Sequence, residues 1–332
     1  MLGVDFIIGI ILWLIILKII IYITAPSIYK GPESLVGKVV LITGGNRGIG
    51  FEVSKELARR GCKLIIACRS DAERARQEII NFSNNENVIV KRVDLKSFKS
   101  VRQFASEIHQ SEKKVDVLIN NAGVGFDTIL SEDGLNPVLQ ANIYSAFLLT
   151  HLLIDLLKQS DDGRIIFTSS SFAFANNLTI DNLDAHFPGD DQTVHYSILN
   201  YGNSKLAQLI SSKIFAKKLW EYGIKSNAIH PGIIYTDIFQ AMEGKFGIGG
   251  KIFGCFFYFA MLYASRTCVE GAQGIIELAT SQKHKNTTGQ FFWGFKMYSF
   301  YPNPWCLRNK KFCNEIWSKL ESVVGLAPEE KL

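Results

Sequence analysis

Lys38-Val39-Val40-Leu41-Ile42-Thr43-Gly44-Gly45-Asn46-Arg47-Gly48-Ile49-Gly50 is the stretch from which the rest of this chain can be read. An aliphatic run of this kind makes a buried strand. The glycines after it let the main chain turn sharply and approach a pyrophosphate with no Cβ in the way. Helix-forming residues from Phe51 to Arg60 then bring backbone donors and a helix N-terminus to the phosphates. The spacing is T-G-x-x-x-G-x-G, not G-x-G-x-x-G. Glycine turns also arise for packing alone, but strand, turn and helix in succession favour a nucleotide cradle.

The next strand, Lys63 to Cys68, ends at Arg69, about twenty residues beyond the glycines, where an NAD-binding fold usually offers an acid to the ribose hydroxyls. A guanidinium there, with Arg47 in the turn, suits bidentate pairing with a 2′-phosphate and favours NADP(H). The plain alternative is that both arginines are solvated surface charges.

Strands and helices alternate downstream. Strands are expected at Val88 to Val93, Val115 to Ile119, Arg164 to Thr168, Ser226 to Ile229 and near Gln290 to Trp293. Helices are expected at Phe98 to His109, Leu135 to Leu157, Tyr201 to Trp220 and Val269 to Ala279. This order predicts an α/β fold with a parallel sheet covered on both faces. Ligands of such sheets sit at the carboxyl ends of the strands. Asp94, Asn120-Asn121-Ala122-Gly123, Ser169-Ser170-Ser171 and His230-Pro231-Gly232 all occupy that place.

Tyr201 and Lys205 are four residues apart, which puts them a turn apart on one helix face. A phenol with a pKa of about 10 is a poor base near neutrality, and an adjacent ammonium is expected to lower it. Tyr201 then exchanges a proton with a carbonyl or alcohol. Ser170 donates to the substrate oxygen, and Asn142 holds a water that relays protons to Lys205. Each residue also has a bland reading: Tyr201 as packing, Ser170 as a strand-end cap, Asn142 as a helix residue satisfied by backbone.

The 332 residues are 47% hydrophobic, enough for one large domain, and the formal charge of +5 is spread along the chain. No basic block interleaved with aromatics points to nucleic acid. The six cysteines show no C-x-x-C pair and no histidine at metal spacing, so no metal is expected and they read as thiols of a reducing compartment. A Cys306 to Cys313 bridge is left open.

Phe6 through Ile23 is nearly all Ile, Leu, Phe and Trp, interrupted by Lys18. As a helix it would extend about 27 Å, close to the thickness of a bilayer core. A cleaved signal peptide would want a basic start and a shorter apolar region, whereas Asp5 opens this segment and Pro26 follows it. Lys30 and Lys38 on the C-terminal side place the main domain in the cytosol. Ile252 to Tyr263 is too short to span and reads either as a core helix or as an interfacial lid.

Thr43 to Gly50, Asn120-Asn121-Ala122-Gly123, Ser170, Tyr201-Gly202-Asn203-Ser204-Lys205 and His230-Pro231-Gly232 together resemble a short-chain dehydrogenase/reductase, from about Val36 to about Trp293. Ala67-Cys68-Arg69-Ser70, Asp94-Leu95 with Ser100-Val101-Arg102, Phe147-Leu148-Leu149-Thr150 and Glu270-Gly271-Ala272-Gln273, with the apolar N-terminus, make the chain most similar to the membrane-anchored retinol dehydrogenase group. The resemblance implies a single Rossmann-type doubly wound parallel sheet at residues 37–300. An N-terminal transmembrane helix (1–25), a linker (26–36) and a C-terminal helical tail (301–332) flank it.

The resemblance further implies Asn142, Ser170, Tyr201 and Lys205 as the catalytic set. NADP(H) would be held by Thr43, Gly44, Asn46, Arg47, Gly48, Ile49, Gly50, Arg69, Asp94, Leu95, Asn121, Ala122, Gly123, Tyr201, Lys205, Pro231, Gly232 and Thr236. Among these, Asp94 lies near the adenine, Asn121 near the ribose and Thr236 near the carboxamide. The implied activity is hydride exchange on a hydrophobic alcohol or carbonyl compound, retinoid first and steroid or lipid aldehyde second. The setting is the endoplasmic reticulum membrane, single-pass, with a homodimer left open. Three features depart from the group: Arg47 where a small polar residue is usual, three serines in a row, and the long stretch between Ser170 and Tyr201. An NAD(H)-dependent steroid-type enzyme is the alternative within the class. A membrane-tethered nucleotide-binding protein without turnover is the alternative outside it, though such a protein has no physical need for a buried lysine.

Overall fold

The computed structural model describes residues 28–125, 127, 129–183, 194–234, 266–294, 296–298 and 304–332, together with 9, 11–16 and 18–19. The opening stretch forms β1 (Val39–Thr43) and α1 (Gly48–Arg59). There follow β2 (Lys63–Cys68), α2 (Glu73–Ser83), β3 (Val88–Arg92), α3 (Phe98–Ser111) and β4 (Val117–Asn120). The second half contributes β5 (Arg164–Thr168), α6 (Val194–Lys218), β6 (Lys225–His230), α7 (Cys268–Thr280), β7 (Phe291–Trp293) and β8 (Lys296–Tyr298). Between β4 and β5 the expected Leu135 to Leu157 helix is broken. It comprises a turn at Pro137–Leu139, a π-helical turn at Gln140–Tyr144, α4 (Ser145–Leu152) and α5 (Ile154–Lys158).

The strands form one sheet in the order β3-β2-β1-β4-β5-β6-β7-β8. Seven of them are parallel, and β8 pairs antiparallel with β7, so the wholly parallel sheet expected from sequence acquires an antiparallel edge. The winding reverses between β1 and β4, which leaves a crevice at the carboxyl ends of those two strands. Alternate residues face opposite layers. Leu41, Ile65, Leu118, Ile165 and Phe167 meet α3, α4 and α6, whereas Ile42, Ile66, Ile119 and Ile166 meet α1 and α7. Burial on both faces explains why these strands read as continuous apolar runs.

Two peripheral segments are bound to this body. In α9 (Lys310–Val323), which follows α8 (Pro304–Arg308), Trp317 packs edge-on against Phe147 and Phe215, with ring centroids 4.8 Å apart in both cases, behind α6. At the other terminus, residues 28–36 lie against α1 and α7. The Tyr29 amide donates to Gln273 Oε1 (2.9 Å), the Tyr29 hydroxyl to Glu33 (2.7 Å), and the Leu35 amide to the Arg60 carbonyl (2.8 Å). The Arg60 guanidinium sits 5.2 Å from the centre of the Tyr29 ring and donates to the Glu33 carbonyl (3.0 Å).

Of the apolar N-terminus, residues 9, 11–16 and 18–19 are helical, and their large side chains apart from Leu14 are exposed, Trp13 by 55%. Among the described residues no helix is long and apolar enough to cross a membrane. Ile252 to Tyr263 and Thr236 lie outside the described residues.

Candidate active site

A cavity of about 790 Å³ opens over the carboxyl ends of the strands, a size suited to a dinucleotide cofactor with part of a substrate. Its wall runs from Arg69 and Ser70 after β2, past the glycine turn, to Ser170, Tyr201 and Lys205. Every proposed site residue lines it except Thr43, Asn142 and the undescribed Thr236.

The glycine turn is built for close approach. Gly44 and Gly48 have φ of 67° and 57°, where a side chain would strain the backbone. A Cβ on Gly50 would lie 2.2 Å from the Gly44 carbonyl oxygen, whereas one on Gly48 would meet nothing within 4 Å. The first glycine of α1 thus faces open space at a helix N-terminus, as a phosphate cradle requires. Thr43 is buried beneath this turn. Its hydroxyl oxygen accepts from the amides of Asn121 and Ala122 (both 3.0 Å), while Asn121 Nδ2 donates to the Thr43 carbonyl (3.0 Å). These two residues brace β1 to β4 at the crevice.

Arg69 and Arg47 are exposed at one end of the cavity, where Asn46 Nδ2 donates to Ser70 Oγ (3.3 Å). The neighbouring carboxylate, Asp71, accepts from the Glu73 amide and does not line the cavity. Asp94 accepts from the Lys96 amide (2.9 Å) after β3.

At the opposite end, α6 begins at Val194, so Tyr201 lies two turns inside the helix and not at its start as the sequence predicted. Gly202 allows the approach that builds the site, since a Cβ there would fall 1.9 Å from the Ala175 carbonyl oxygen. Asn203 then exchanges bonds with Asn177: the Asn177 amide donates to Asn203 Oδ1 (3.0 Å), and Asn203 Nδ2 donates to Asn177 Oδ1 (2.9 Å). Close packing brings Tyr201 edge-on to Phe172 and into hydrogen-bonding contact with Ser170.

The three serines separate cleanly. Ser169 Oγ donates to the Lys205 carbonyl (2.9 Å), Ser170 is the partner of Tyr201, and Ser171 opens the 3₁₀ turn Ser171–Phe174.

Lys205 is 3% exposed, and its Nζ donates to the Thr168 carbonyl (2.8 Å), 5.4 Å from the centre of the Tyr201 ring. Burial lowers its pKa to about 7. Burial also pushes Tyr201 up to about 12, with the Ser170 hydrogen bond acting against it. The lowered phenol expected from an adjacent ammonium is therefore not what this site shows; desolvation outweighs the Ser170 hydrogen bond.

Asn142 is fully buried. It sits in the π-helical turn, a device that re-aims side chains near functional sites. Its Oδ1 accepts from the Val124 amide (2.8 Å), and its Nδ2 donates to the Val124 carbonyl (2.9 Å) and Ser204 Oγ (3.1 Å). Its backbone carbonyl accepts from Gln208 Nε2 (2.7 Å). The side chain thus fixes the loop after β4 over Lys205.

Sequence reading missed the Thr168 carbonyl, Gln208 and Cys268, and it named His230 without foreseeing its burial. The Thr168 carbonyl is main chain and carries no sequence signal. Gln208 lies three residues beyond Lys205 on the same helix face, a spacing that could have been used. Cys268 lines the cavity at the start of α7. His230 is 3% exposed, lies edge-on to Trp293, and among the described residues has no hydrogen-bond partner for either ring nitrogen; burial, reinforced by Arg266 and Lys205, lowers its pKa to about 3.

Among the described residues no group of three or more His, Cys, Asp or Glu is placed to hold a metal. Cys313 Sγ donates to the Cys306 carbonyl (3.2 Å), and both thiols are free.

A family profile described as short chain dehydrogenase matches residues 38–180. Retinol dehydrogenase 12 of Mus musculus is 33% identical over 318 residues, covering 92% of this chain and 95% of that protein. Retinol dehydrogenase 13 of Homo sapiens is 34% identical over 298 residues, covering 88% and 86%. Among solved structures, the Escherichia coli oxidoreductase yciK superposes with a TM-score of 0.62 at 20% identity, over 81% of this chain and 99% of that one, a likeness of fold alone. Pseudomonas aeruginosa RhlG, solved as an NADP active-site complex, superposes with a TM-score of 0.59 at 25% identity, over 78% and 95%.

Proposed function

The chain belongs to the short-chain dehydrogenase family, in the group of the retinol dehydrogenases, and on that premise we propose that it interconverts a hydrophobic alcohol and its carbonyl compound with NADP(H). The coarser statement, an oxidoreductase using a nicotinamide dinucleotide, follows from family membership. The observation that carries the finer one is the convergence of Ser170, Tyr201 and Lys205 at one end of the cavity that Arg69 and Arg47 flank at the other.

The residues fit the cofactor. The open cradle at Gly48 and the N-terminus of α1 would take the pyrophosphate, Arg69 and Arg47 the 2′-phosphate, and Asp94 and Leu95 the adenine side. When bound, the nicotinamide supplies or accepts the hydride. Tyr201, whose pKa burial raises to about 12, donates its proton to the substrate oxygen in reduction and is left as a phenolate; oxidation is the reverse and starts from that phenolate, which takes the alcohol proton. Ser170 steadies that oxygen by hydrogen bonding. Lys205, with a pKa of about 7, takes up and releases protons near neutrality, and the Thr168 carbonyl keeps its Nζ in place. Asn142 positions the loop that roofs Lys205.

Retinoids are the first substrate class by analogy with the named relatives, and steroids or lipid aldehydes the second. The apolar N-terminus (residues 1–25) anchors the chain in an intracellular membrane, the endoplasmic reticulum by preference, with the catalytic domain facing the cytosol. A panel of retinoid, steroid and aliphatic carbonyl substrates, each offered with NADPH and NADH in membrane fractions, tests the reading. Turnover with NADH alone would replace the cofactor assignment, and no turnover with any pair would leave a binding protein.

A further inference from the structure

Residues 28–36 were expected to be a linker, yet they run in a fixed direction along the domain. Tyr29 is held at Gln273, midway along α7, and its ring reaches Thr280 and Ser281 at that helix's end. Glu33 and Leu35 are held at Arg60, just past the end of α1, and Val36 lies against Gly61. Traced backwards from Val36 to Tyr29, the chain runs from the C-terminal ends of α1 and α7 to the middle of α7, in the direction of their N-terminal ends. Those N-terminal ends carry Gly48, Ile49 and Cys268, which line the cavity. The described run from Val36 back to Tyr29 is thus directed towards the cavity side. Between the helical Ile19 and Ile28 the chain can span at most about 30 Å, whatever its path.

The same side exposes a ring of large apolar side chains. Ile129 (78% exposed) and Leu130 follow the cavity residue Asp127; Phe174 follows Phe172; Ile233 itself lines the cavity; Val269 adjoins Cys268. All five sit within three residues of the cavity wall. At the opposite edge, the exposed aromatics Trp220 and Tyr222 lie past the end of α6, and the Lys158 ammonium rests 3.6 Å above the Tyr222 ring.

We propose that the cavity mouth itself rests on the lipid bilayer, its apolar ring pressed into the acyl boundary and its orientation set by the clamp of residues 28–36. Substrate then enters from the membrane without crossing water. This deepens the functional reading above and rests on it for the nature of the substrate. An apolar ring binds an interface in proportion to its buried area, and a tethered helix close by removes the entropy of finding it.

The test uses the full chain in phosphatidylcholine and phosphatidylserine vesicles containing a lipid with a photoactivatable acyl chain. Peptides carrying Ile129–Leu130, Ile233 and Val269 should be labelled at least about fivefold more than the peptide carrying Trp220 and Tyr222. Labelling confined to the N-terminal segment, or equal at both edges, overturns the proposal. In the same vesicles, Ile129→Glu with Val269→Glu should lower kcat/KM for a sixteen-carbon aldehyde at least tenfold and leave propanal unchanged. An equal fall for both aldehydes also overturns it. A chain that reduces neither aldehyde with either cofactor would overturn the functional reading, while the labelling map would still decide where the membrane lies.

Discussion

Replacing Lys205 by methionine is expected to abolish turnover and yet make the protein more stable. The ammonium is driven from the ordinary 10.5 to about 7 by burial. At about 1.36 kcal/mol per unit, the charged lysine destabilises the fold by roughly 5 kcal/mol wherever both states are protonated. Methionine removes that charge but leaves the Thr168 carbonyl without its 2.8 Å donor, a loss of about 1–3 kcal/mol. The net gain is therefore roughly 2–4 kcal/mol at pH 7. The sign fixes a pH window. Burial disfavours the charged lysine, so its cost is full below about pH 7, shrinks as pH rises and vanishes above 10.5. Guanidinium unfolding of the full chain in mild detergent, followed by tryptophan fluorescence at pH 7 and pH 9.5, reads both. Subtracting the variant from the parent isolates Lys205 from other titrating groups. A variant no more stable than the parent at pH 7, or a difference that does not narrow by pH 9.5, would refute the reasoning.

Tyr201→Phe should reduce kcat by about 10²–10⁴ while NADPH affinity, read by fluorescence titration, changes less than a few-fold; turnover near that of the parent would unseat Tyr201 as the acid. Arg69→Asp should move the ratio of kcat/KM values from NADP(H) towards NAD(H), and an unchanged ratio would mean that the guanidinium is surface charge only. Gly202→Ala, whose new methyl would fall 1.9 Å from the Ala175 carbonyl oxygen, should cost about 1–3 kcal/mol in the same unfolding assay and disturb the Ser170–Tyr201 contact. A chain begun at Pro32 should leave the membrane at high salt and keep its fold, with a lower Tm than one begun at Ile28. That cut removes Tyr29 from Gln273 and Arg60.

Most of the scaffold was legible because buried parallel strands write themselves as uninterrupted apolar runs, and β5 was placed to the residue. Boundaries failed where tertiary contacts override local pattern. The π-helical turn at Gln140–Tyr144 has no signature in its residue types, and α6 begins at Val194, two turns before Tyr201, where Thr193 offers a start signal that was not used. In the site, the side chains that converge were named in advance because each follows a strand or sits on one helix face. Their electrostatics were not, because the pKa of Tyr201 depends on how completely Phe172, the Ser171–Phe174 turn and α6 exclude water. The contacts of Asn142 with Val124 likewise depend on a loop conformation invisible to spacing. The segment around Tyr29 was read as a linker since polar residues flanked by glycine and proline look alike whether docked or free.

The seal that α9 places behind α6 has a consequence for how the protein is made. Phe215 and Trp317 touch in the finished molecule but lie about 100 residues apart in the chain, so at roughly 5–20 residues per second a ribosome emits the first some 5–20 s before the second. Throughout that interval the back of the helix bearing Tyr201 lacks its aromatic cover. Nascent chains stalled before residue 310 should therefore recruit chaperones that bind apolar surface, and premature termination in α9 should deplete the protein through quality control although every residue of the catalytic set has already been synthesised.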